Sequence, residues 1–511
     1  MINIIPRPNK LVDSKRKIKV NSFDIVYLEE FENAIGVFKE EYKNYIKADS
    51  EFLLVFTKNK CKNPQAYKID VVKNAIYVEA SNELGIFYAT RTLRQIMNVV
   101  DNEVVINVCK VDDKPKYNYR SFSLDESRHF AGVEEVKKII DVLSLLKMRY
   151  LHWHLSDDQG FRVDFKKFPK LYEVGAKRNK TMLHSDKSYV YDETVYHHAY
   201  TEEEIIEVIE YAKKHYISII PEFDTPGHTK SIVASYPFLH CEGKQVEVFT
   251  DVAWNTDILC PSKESTYVFL EELFDEIMRL FADCEYIHLG GDEVIPSNWE
   301  TCPDCQKKMA LLGITEPLKL QDYFSERLIN IVKKYDKKLI MWADGIHDKV
   351  DKDVILQYWT WQMIPETIEK INNGRDTIYS PCCQCYFDSA YAELNLKETY
   401  GRGIVLKGLT RKGLGKIFGM ECNMWREFIR TNDHMEFMMF PRIHAFSESA
   451  WTYQKNFDYP NFKKRLKYHN QILDQMGIVY AKEHIFDQPD PNLKISDEFR
   501  KVNRLTEYEK N

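Results

Sequence analysis

The chain has no apolar run long enough to cross a bilayer, no excess of positive charge and no glycine-rich dinucleotide fingerprint, and each absence removes a class of protein. The longest apolar runs fall far short of the roughly 20 residues a membrane helix needs. A net charge of −7 and a pI near 6.2, with Lys and Arg scattered, argue against a polyanion-binding surface and leave no nucleic-acid footprint. The first twenty residues, MINIIPRPNKLVDSKRKIKV, show no secretory apolar core ahead of their charges, so a cytoplasmic location is expected. Eleven cysteines are an odd number in a large chain, and reduced thiols are the better reading than a disulfide framework. Cys302-Pro-Asp-Cys305 has the spacing of a zinc half-site, and Cys382-Cys383-Gln384-Cys385 could supply further thiolates. The spacing between the two clusters is too loose to read as one zinc site, and no metal and no cofactor is assigned.

What is present is a well-packed composition, 44% hydrophobic and 13% aromatic over 511 residues, which predicts two domains unless one is a large barrel. Residues 1–112 mix short β-prone runs with amphipathic stretches such as Leu84 to Met97 and read as a small α/β accessory domain. A polar, proline-marked segment at Val111 to Lys116 reads as the boundary. Over 117–455 short apolar strands alternate with helices. The expected strands are Arg120 to Leu124, Tyr150 to Leu155, Ile217 to Glu222, Tyr286 to Leu289, Lys338 to Trp342, Val354 to Trp359, Thr377 to Ser380 and Ile417 to Glu421. Between them Val136, Ile139, Ile140 and Leu143 form one helical stripe, Leu270, Leu273, Phe274 and Ile277 another, and Thr201 with Glu204 a capping box. Eight such alternations predict a (β/α)8 TIM barrel, with a doubly wound sheet as runner-up. Residues 456–511 read as a helix, Phe462 to Met476, packed on the barrel, and a charged tail after Asp487-Gln-Pro-Asp-Pro491.

The strand ending Tyr286-Ile287-His288-Leu289 runs into Gly290-Gly291-Asp292-Glu293. Neighbouring side chains on a strand face opposite ways, so two adjacent acids serve one site only if the chain bends, and the glycines permit that bend. On a barrel, polar residues at the C-terminal strand ends are the chemical ones. Those ends carry LDESRHF (124–130), HWHLSDDQG (152–160), PEFDTPGHT (221–229), Trp342, Gln357-Tyr358-Trp359, Tyr386-Phe387-Asp388 and ECNMWRE (421–427). Carboxylates mixed with aromatics suit a sugar, whose CH face packs on indole and whose hydroxyls bind Asp, Glu and Arg.

These motifs, in this order and spacing over nearly the whole chain, resemble the family 20 glycoside hydrolases, the β-N-acetylhexosaminidases. The resemblance implies an exo-acting retaining enzyme, acting on terminal β-linked N-acetylglucosamine or N-acetylgalactosamine of an oligosaccharide or glycoconjugate. Its 2-acetamido oxygen would be the nucleophile, passing through an oxazolinium ion. On that resemblance Glu293 is the general acid/base and Asp292 orients the acetamido group. Arg120, Asp388 and Glu427 grip hydroxyls, and Tyr386 donates to the acetamido oxygen. Trp342, Trp359 and Trp425 form the walls, and Asp157 (or Asp158) with His228 supports the acid. Glu293 is expected to have its pKa raised by burial and by the Asp292 charge, while Asp292 stays ionised. Glu126 and Arg426 depart from the family pattern and could alter a loop near the mouth.

Two other classes fit part of the pattern. His152, His154, Asp157, Asp158, His228 and Asp292 could be drawn as ligands of a metal-dependent barrel hydrolase, which would not need the aromatic set. A binding module without catalysis would show a broken acid pair, and Asp292-Glu293 is intact. Within the enzyme reading, a two-carboxylate retaining glycosidase is the closest rival.

Overall fold

A computed structural model describes residues 2–184, 190–347, 349–401 and 406–487. In it eight parallel strands close into a barrel: β1 (Tyr119–Asp125), β2 (Tyr150–His154), β3 (Ser218–Glu222), β4 (Tyr286–His288), β5 (Lys338–Trp342), β6 (Ile355–Tyr358), β7 (Thr377–Tyr379) and β8 (Ile417–Met424). Each expected strand is found, and closure comes from β8 pairing with β1, Gly419 opposite Tyr119 through Met424 opposite Leu124. Covering helices bury both strand faces, so the strands read as near-continuous buried runs rather than alternating ones. The helices Val133–Leu145 and Glu264–Leu280 turn the predicted stripes inward. Helix Glu202–Lys214 opens on the predicted box: Glu204 N–H donates to Thr201 Oγ1 at 3.2 Å, and Thr201 N–H to Glu204 Oε2 at 2.8 Å.

Inward-pointing residues recur every second position and stack in layers. The lowest layer is an apolar and aromatic plug of Tyr119, Tyr150, Ile220, Tyr286, Ile340, Ile355 and Ile378. Two residues further along the strands the interior turns polar, with His152, Glu222, His288, Gln357 and Glu421, all fully buried. His152 Nδ1 lies 2.8 Å from Glu421 Oε1, and His288 Nδ1 2.8 Å from Glu222 Oε1. Burial alone would lower the His152 pKa, but Glu421 and Glu222 lift it to about 9. Above this charged layer lies the C-terminal mouth.

The small domain is a seven-stranded sheet whose helices Glu32–Glu41 and Glu83–Ile96 pack together over a core separate from the barrel's. It joins the barrel through buried polar groups. Trp451 Nε1 donates to Asp113 Oδ2 at 2.9 Å, and Lys147 Nζ donates to Tyr67 Oη at 2.7 Å. Helix Tyr459–Gln475 seals the junction: Arg465 forks onto Glu448 at 2.6 and 2.7 Å and donates to the Ile4 carbonyl at 2.7 Å. The charged tail expected after Asp487 lies outside the described residues.

Arg120 is not at the mouth. It is fully buried near the N-terminal start of β1, where Nε donates to the Lys147 carbonyl (2.8 Å), Nη1 to those of Tyr117 and Asn118 (2.7 and 3.1 Å), and Nη2 to Tyr88 Oη (3.0 Å). Its guanidinium also lies over Trp451, 4.8 Å from the ring centre. It is a structural tie to the small domain, because a residue at the beginning of a barrel strand faces the end opposite the chemistry.

Candidate active site

β4 ends at His288, and the chain then turns sharply: φ is +68° at Gly290, +100° at Gly291 and +50° at Glu293. Glycine is required here by space as well as by φ. A Cβ on Gly290 would stand 1.7 Å from Asp224 Oδ1, and one on Gly291 2.9 Å from Met341 Cε. The turn is pinned by Gly291 N–H donating to Asp224 Oδ1 (2.9 Å) and by Gln321 Nε2 donating to the Gly291 carbonyl (2.7 Å). It brings Asp292 and Glu293 to one side chain: His228 Nε2 is 3.6 Å from Asp292 Oδ2 and 3.6 Å from Glu293 Oε2. The other ring nitrogen of His228 lies 3.0 Å from Asp157 Oδ1 but 3.6 Å from Asp158 Oδ2, which makes Asp157 the nearer partner. Asp158 instead accepts the Lys230 N–H and Asn255 Nδ2.

Burial alone would lower the His228 pKa, but Asp157 and Asp292 raise it well above the ordinary imidazole range, so the ring is a cation between carboxylates. Glu293 is raised above the usual carboxylate range, chiefly by burial, with the nearby Asp344 charge adding to the effect and His228 opposing it. Asp292 and Glu293 repel one another as expected, and Asp344 is a further neighbouring charge. It also holds the acid's backbone, accepting the Glu293 N–H at 3.0 Å and Trp359 Nε1 at 2.8 Å. Asp292 departs from the expectation of a simple carboxylate. Burial and the adjacent Asp224 push it well above the usual range, and Asp224, hydrogen-bonded to it, is raised as well, chiefly by burial. Two carboxyls in contact and largely out of water resist ionising together. Asp292 Oδ1 is buried and has no partner among the described residues.

The arginine at the mouth is Arg128, in the loop after β1. Nη2 lies 2.8 Å from Asp157 Oδ2, Nη1 lies 3.2 Å from Asp125 Oδ2 and 3.7 Å from Glu427 Oε1, and Nε donates to Gln159 Oε1 at 2.8 Å. Glu427 and Asp388 face this group. Burial raises both, and the Glu427 charge helps carry Asp388 to about 8. Trp425 is central: Arg128 lies 5.5 Å from its ring centre, Trp342 5.9 Å and Tyr386 6.1 Å. Tyr386 stacks on Trp359 at 6.3 Å and 13°. Trp342, 1% exposed, is floor rather than wall, its Nε1 donating to Glu222 Oε1 at 2.9 Å.

Arg128, Asp344 and Asp224 are the functional groups that sequence reasoning passed over. Arg128 was detectable as the only arginine of LDESRHF, and Asp344 as the acid two residues beyond Trp342. Asp224 stands within PEFDTPGHT with nothing local to give it a role. Glu126 and Arg426 do shape a loop, but from beneath. Both are fully buried, Glu126 accepting the Ala131 N–H (2.7 Å) and Tyr200 Oη (2.9 Å), and Arg426 donating from Nε to the Ile429 carbonyl (3.2 Å). The six residues drawn as ligands of one metal centre do not converge. Asp157, Asp158 and His228 form one group and Asp224, His228 and Asp292 another, while His154 lies between Glu222 and Asp157 at 2.5 and 2.8 Å.

Acids of differing proton affinity set among indole faces suit a pyranose glycoside, and at the C-terminal mouth of a (β/α)8 barrel they define a glycoside hydrolase. Comparison with known proteins gives the family. Residues 117–454 match "Glycosyl hydrolase family 20, catalytic domain" and residues 1–114 match "Glycosyl hydrolase family 20, domain 2", so the chain belongs to glycosyl hydrolase family 20. Its curated relatives include β-hexosaminidases of Vibrio furnissii, 31% identical over 78% of this chain and 67% of that protein, and of Porphyromonas gingivalis, 29% identical over 81% of this chain. The match spans only 54% of the Porphyromonas protein's length. Among solved structures, the exo β-N-acetylglucosaminidase of Vibrio harveyi in complex with N-acetylglucosamine aligns with a TM-score of 0.85 at 28% identity. That alignment covers 94% of this chain and 78% of the other.

Proposed function

We propose that the chain removes terminal, non-reducing β-linked N-acetylhexosamine by substrate-assisted catalysis with net retention. The observation that carries the reading is the unpartnered, buried Asp292 Oδ1 beside the half-exposed Glu293. Adjacent residues cannot flank a glycosidic bond as a nucleophile and an acid do. They can divide the work if the sugar supplies its own nucleophile. Asp292 accepts the acetamido N–H, turning the carbonyl oxygen toward the anomeric carbon and balancing the positive charge of the oxazolinium ion. Glu293, its proton affinity raised by burial, protonates the leaving oxygen and then takes a proton from the water that opens the ring. His228, tied to Asp157, orients both acids. Arg128, Asp388 and Glu427 bind hydroxyls of the terminal sugar, while Trp342, Trp359, Trp425 and Tyr386 enclose its acetamido end.

The test is hydrolysis of an aryl N-acetyl-β-glucosaminide and its N-acetylgalactosaminide epimer against the aryl β-glucoside. Turnover of the N-acetylated pair only, inhibition by a thiazoline mimic of the oxazolinium ion, and loss of activity on poor leaving groups in Glu293→Gln are expected. Comparable turnover of the glucoside would instead favour a two-carboxylate enzyme. A reducing, cytoplasmic setting is part of the same proposal, supported by eleven cysteines none of which is in a disulfide. Cell fractionation checks it.

A further inference from the structure

Beside the barrel mouth a separate small apolar cluster brings together four cysteines from two loops. The Sγ atoms of Cys241, Cys260, Cys302 and Cys305 all lie within 4.8 Å of one another, and Cys305 Sγ is 3.6 Å from that of Cys260 and 4.0 Å from that of Cys241. All four are buried, walled by Ile258, Val294, Trp299, Met309 and Leu320. A disulfide joins two sulfurs at about 2.05 Å and uses each sulfur once. Cys305 instead approaches two partners at once, which is the geometry of a common centre. Zinc bonded to four thiolates at about 2.3 Å sets the sulfurs roughly 3.8 Å apart, between the two separations seen here.

The surrounding backbone holds these positions without help from the chemistry at the mouth. A β-bridge between His240 and Leu259 aligns the segments bearing Cys241 and Cys260. Trp299 Nε1 donates to the Leu259 carbonyl (3.1 Å) and Asn298 Nδ2 to that of Thr256 (2.8 Å), tying the second loop to the first. Cys302 is the N-cap of helix Pro303–Leu312 and Cys305 sits in its first turn, where the positive end of the helix favours thiolates. Cys382, Cys383 and Cys385, the partners the sequence spacing offered, form their own short helix after β7 and take no part.

We propose that Cys241, Cys260, Cys302 and Cys305 bind one Zn2+ as a closed, structural tetrathiolate. The soft, all-sulfur donor set selects zinc over hard cations, and four protein ligands leave no position for substrate. The ion cross-links the loop after β3 to the loop after β4. Val294, the residue following Glu293, packs in the same cluster, so the site steadies the chain just beyond the acid. This proposal does not depend on which glycoside is cleaved.

Metal analysis of the full chain, purified without chelators from zinc-supplemented cells, tests it. One zinc per chain is expected. Stripping with a mercurial and chelator, then adding Co2+, should give one bound equivalent with the sulfur-to-metal charge-transfer bands and visible bands of tetrahedral thiolate cobalt. Cys305→Ser should fall from one metal per chain to none, and because that variant can misfold, the wild-type measurements stand alone. A thiol titration of the denatured, unreduced protein should return all eleven cysteines. A chain that carries no zinc and takes up none after stripping, or four thiols missing because they are paired as disulfides, would overturn the proposal.

Discussion

Arg120 and Arg128 give opposite predictions, and the contrast tests where the structure puts the chemistry. Replacing Arg120 by Met keeps most of the side-chain volume but strips donors from the buried Lys147 carbonyl, the part-buried Tyr117 and Asn118 carbonyls and the buried Tyr88 hydroxyl. A buried acceptor left unpaired costs about 1–3 kcal/mol, so four neutral acceptors losing their donor, two of them only part-buried, cost roughly 3–5 kcal/mol in total. With an unfolding entropy of about 2.1 cal/mol/K per residue, a barrel unfolding as one unit would lose roughly 4–7 °C in Tm. Its kcat/KM, measured at a temperature where it stays folded, should match the wild type within about twofold, since no Arg120 atom reaches the mouth. Arg128→Met should behave the other way round. It leaves Asp125, Asp157 and Glu427 without their shared cation and, on the proposed function, removes a donor to the sugar. A fall in kcat/KM of at least a hundredfold, about 2.7 kcal/mol of transition-state stabilisation, is expected. Thermal unfolding and initial rates on an aryl N-acetylglucosaminide suffice for both. A stable Arg120→Met protein with a hundredfold loss of kcat/KM would refute the assignment of the two arginines.

Gly290→Ala forces a methyl group onto Asp224 Oδ1 at a φ of +68° and should displace the acid turn, lowering kcat by roughly a hundredfold or more. Gly243→Ala, at a similar φ of +65° but with nothing within 4 Å, should cost only about 1 kcal/mol of stability and leave kinetics unchanged, so equal kinetic losses in the two would count against the packing argument. Asp388 has its pKa raised from 3.8 to about 8 in the fold. Between those values the folded state binds the extra proton, so the contribution is present at low pH and lost as pH rises toward 8. Asp388→Asn should therefore gain stability relative to wild type as pH is raised from 4 to 8, and a difference in denaturant midpoint that does not move with pH would contradict the raised pKa.

Within the mouth, electrostatics rather than chain order sorts the acids. Four carboxyl groups, Asp224, Asp292, Glu293 and Asp344, surround one imidazolium. Burial raises all four, yet their demands differ. Asp344 is held by two donors, Asp224 caps the turn, Glu293 faces the solvent side, and Asp292 alone keeps a buried oxygen free.

Local sequence determined the alternation of strands and helices, the capping box at Thr201 and the glycine-bent delivery of Asp292 and Glu293. Each depends on residues within a few positions of one another, where backbone preference and side-chain period act directly. The barrel's inner layers follow from the same period of two. Tertiary structure alone decided which arginine reaches the mouth. Arg120 and Arg128 are eight residues apart on the same strand and its loop, but the strand carries one to each end of the barrel. It also decided that Asp157 is the nearer partner of His228, that Asp224 and Asp292 meet, and that Asp344 holds the acid's backbone. The four cysteines illustrate the limit most clearly. Cys302-x-x-Cys305 is visible as a half-site, but its partners at 241 and 260 become neighbours only because β3 and β4 are adjacent in the barrel, so that the loops leaving them run side by side. Loop contacts of that kind are set by barrel closure and packing, which no periodicity along the chain encodes.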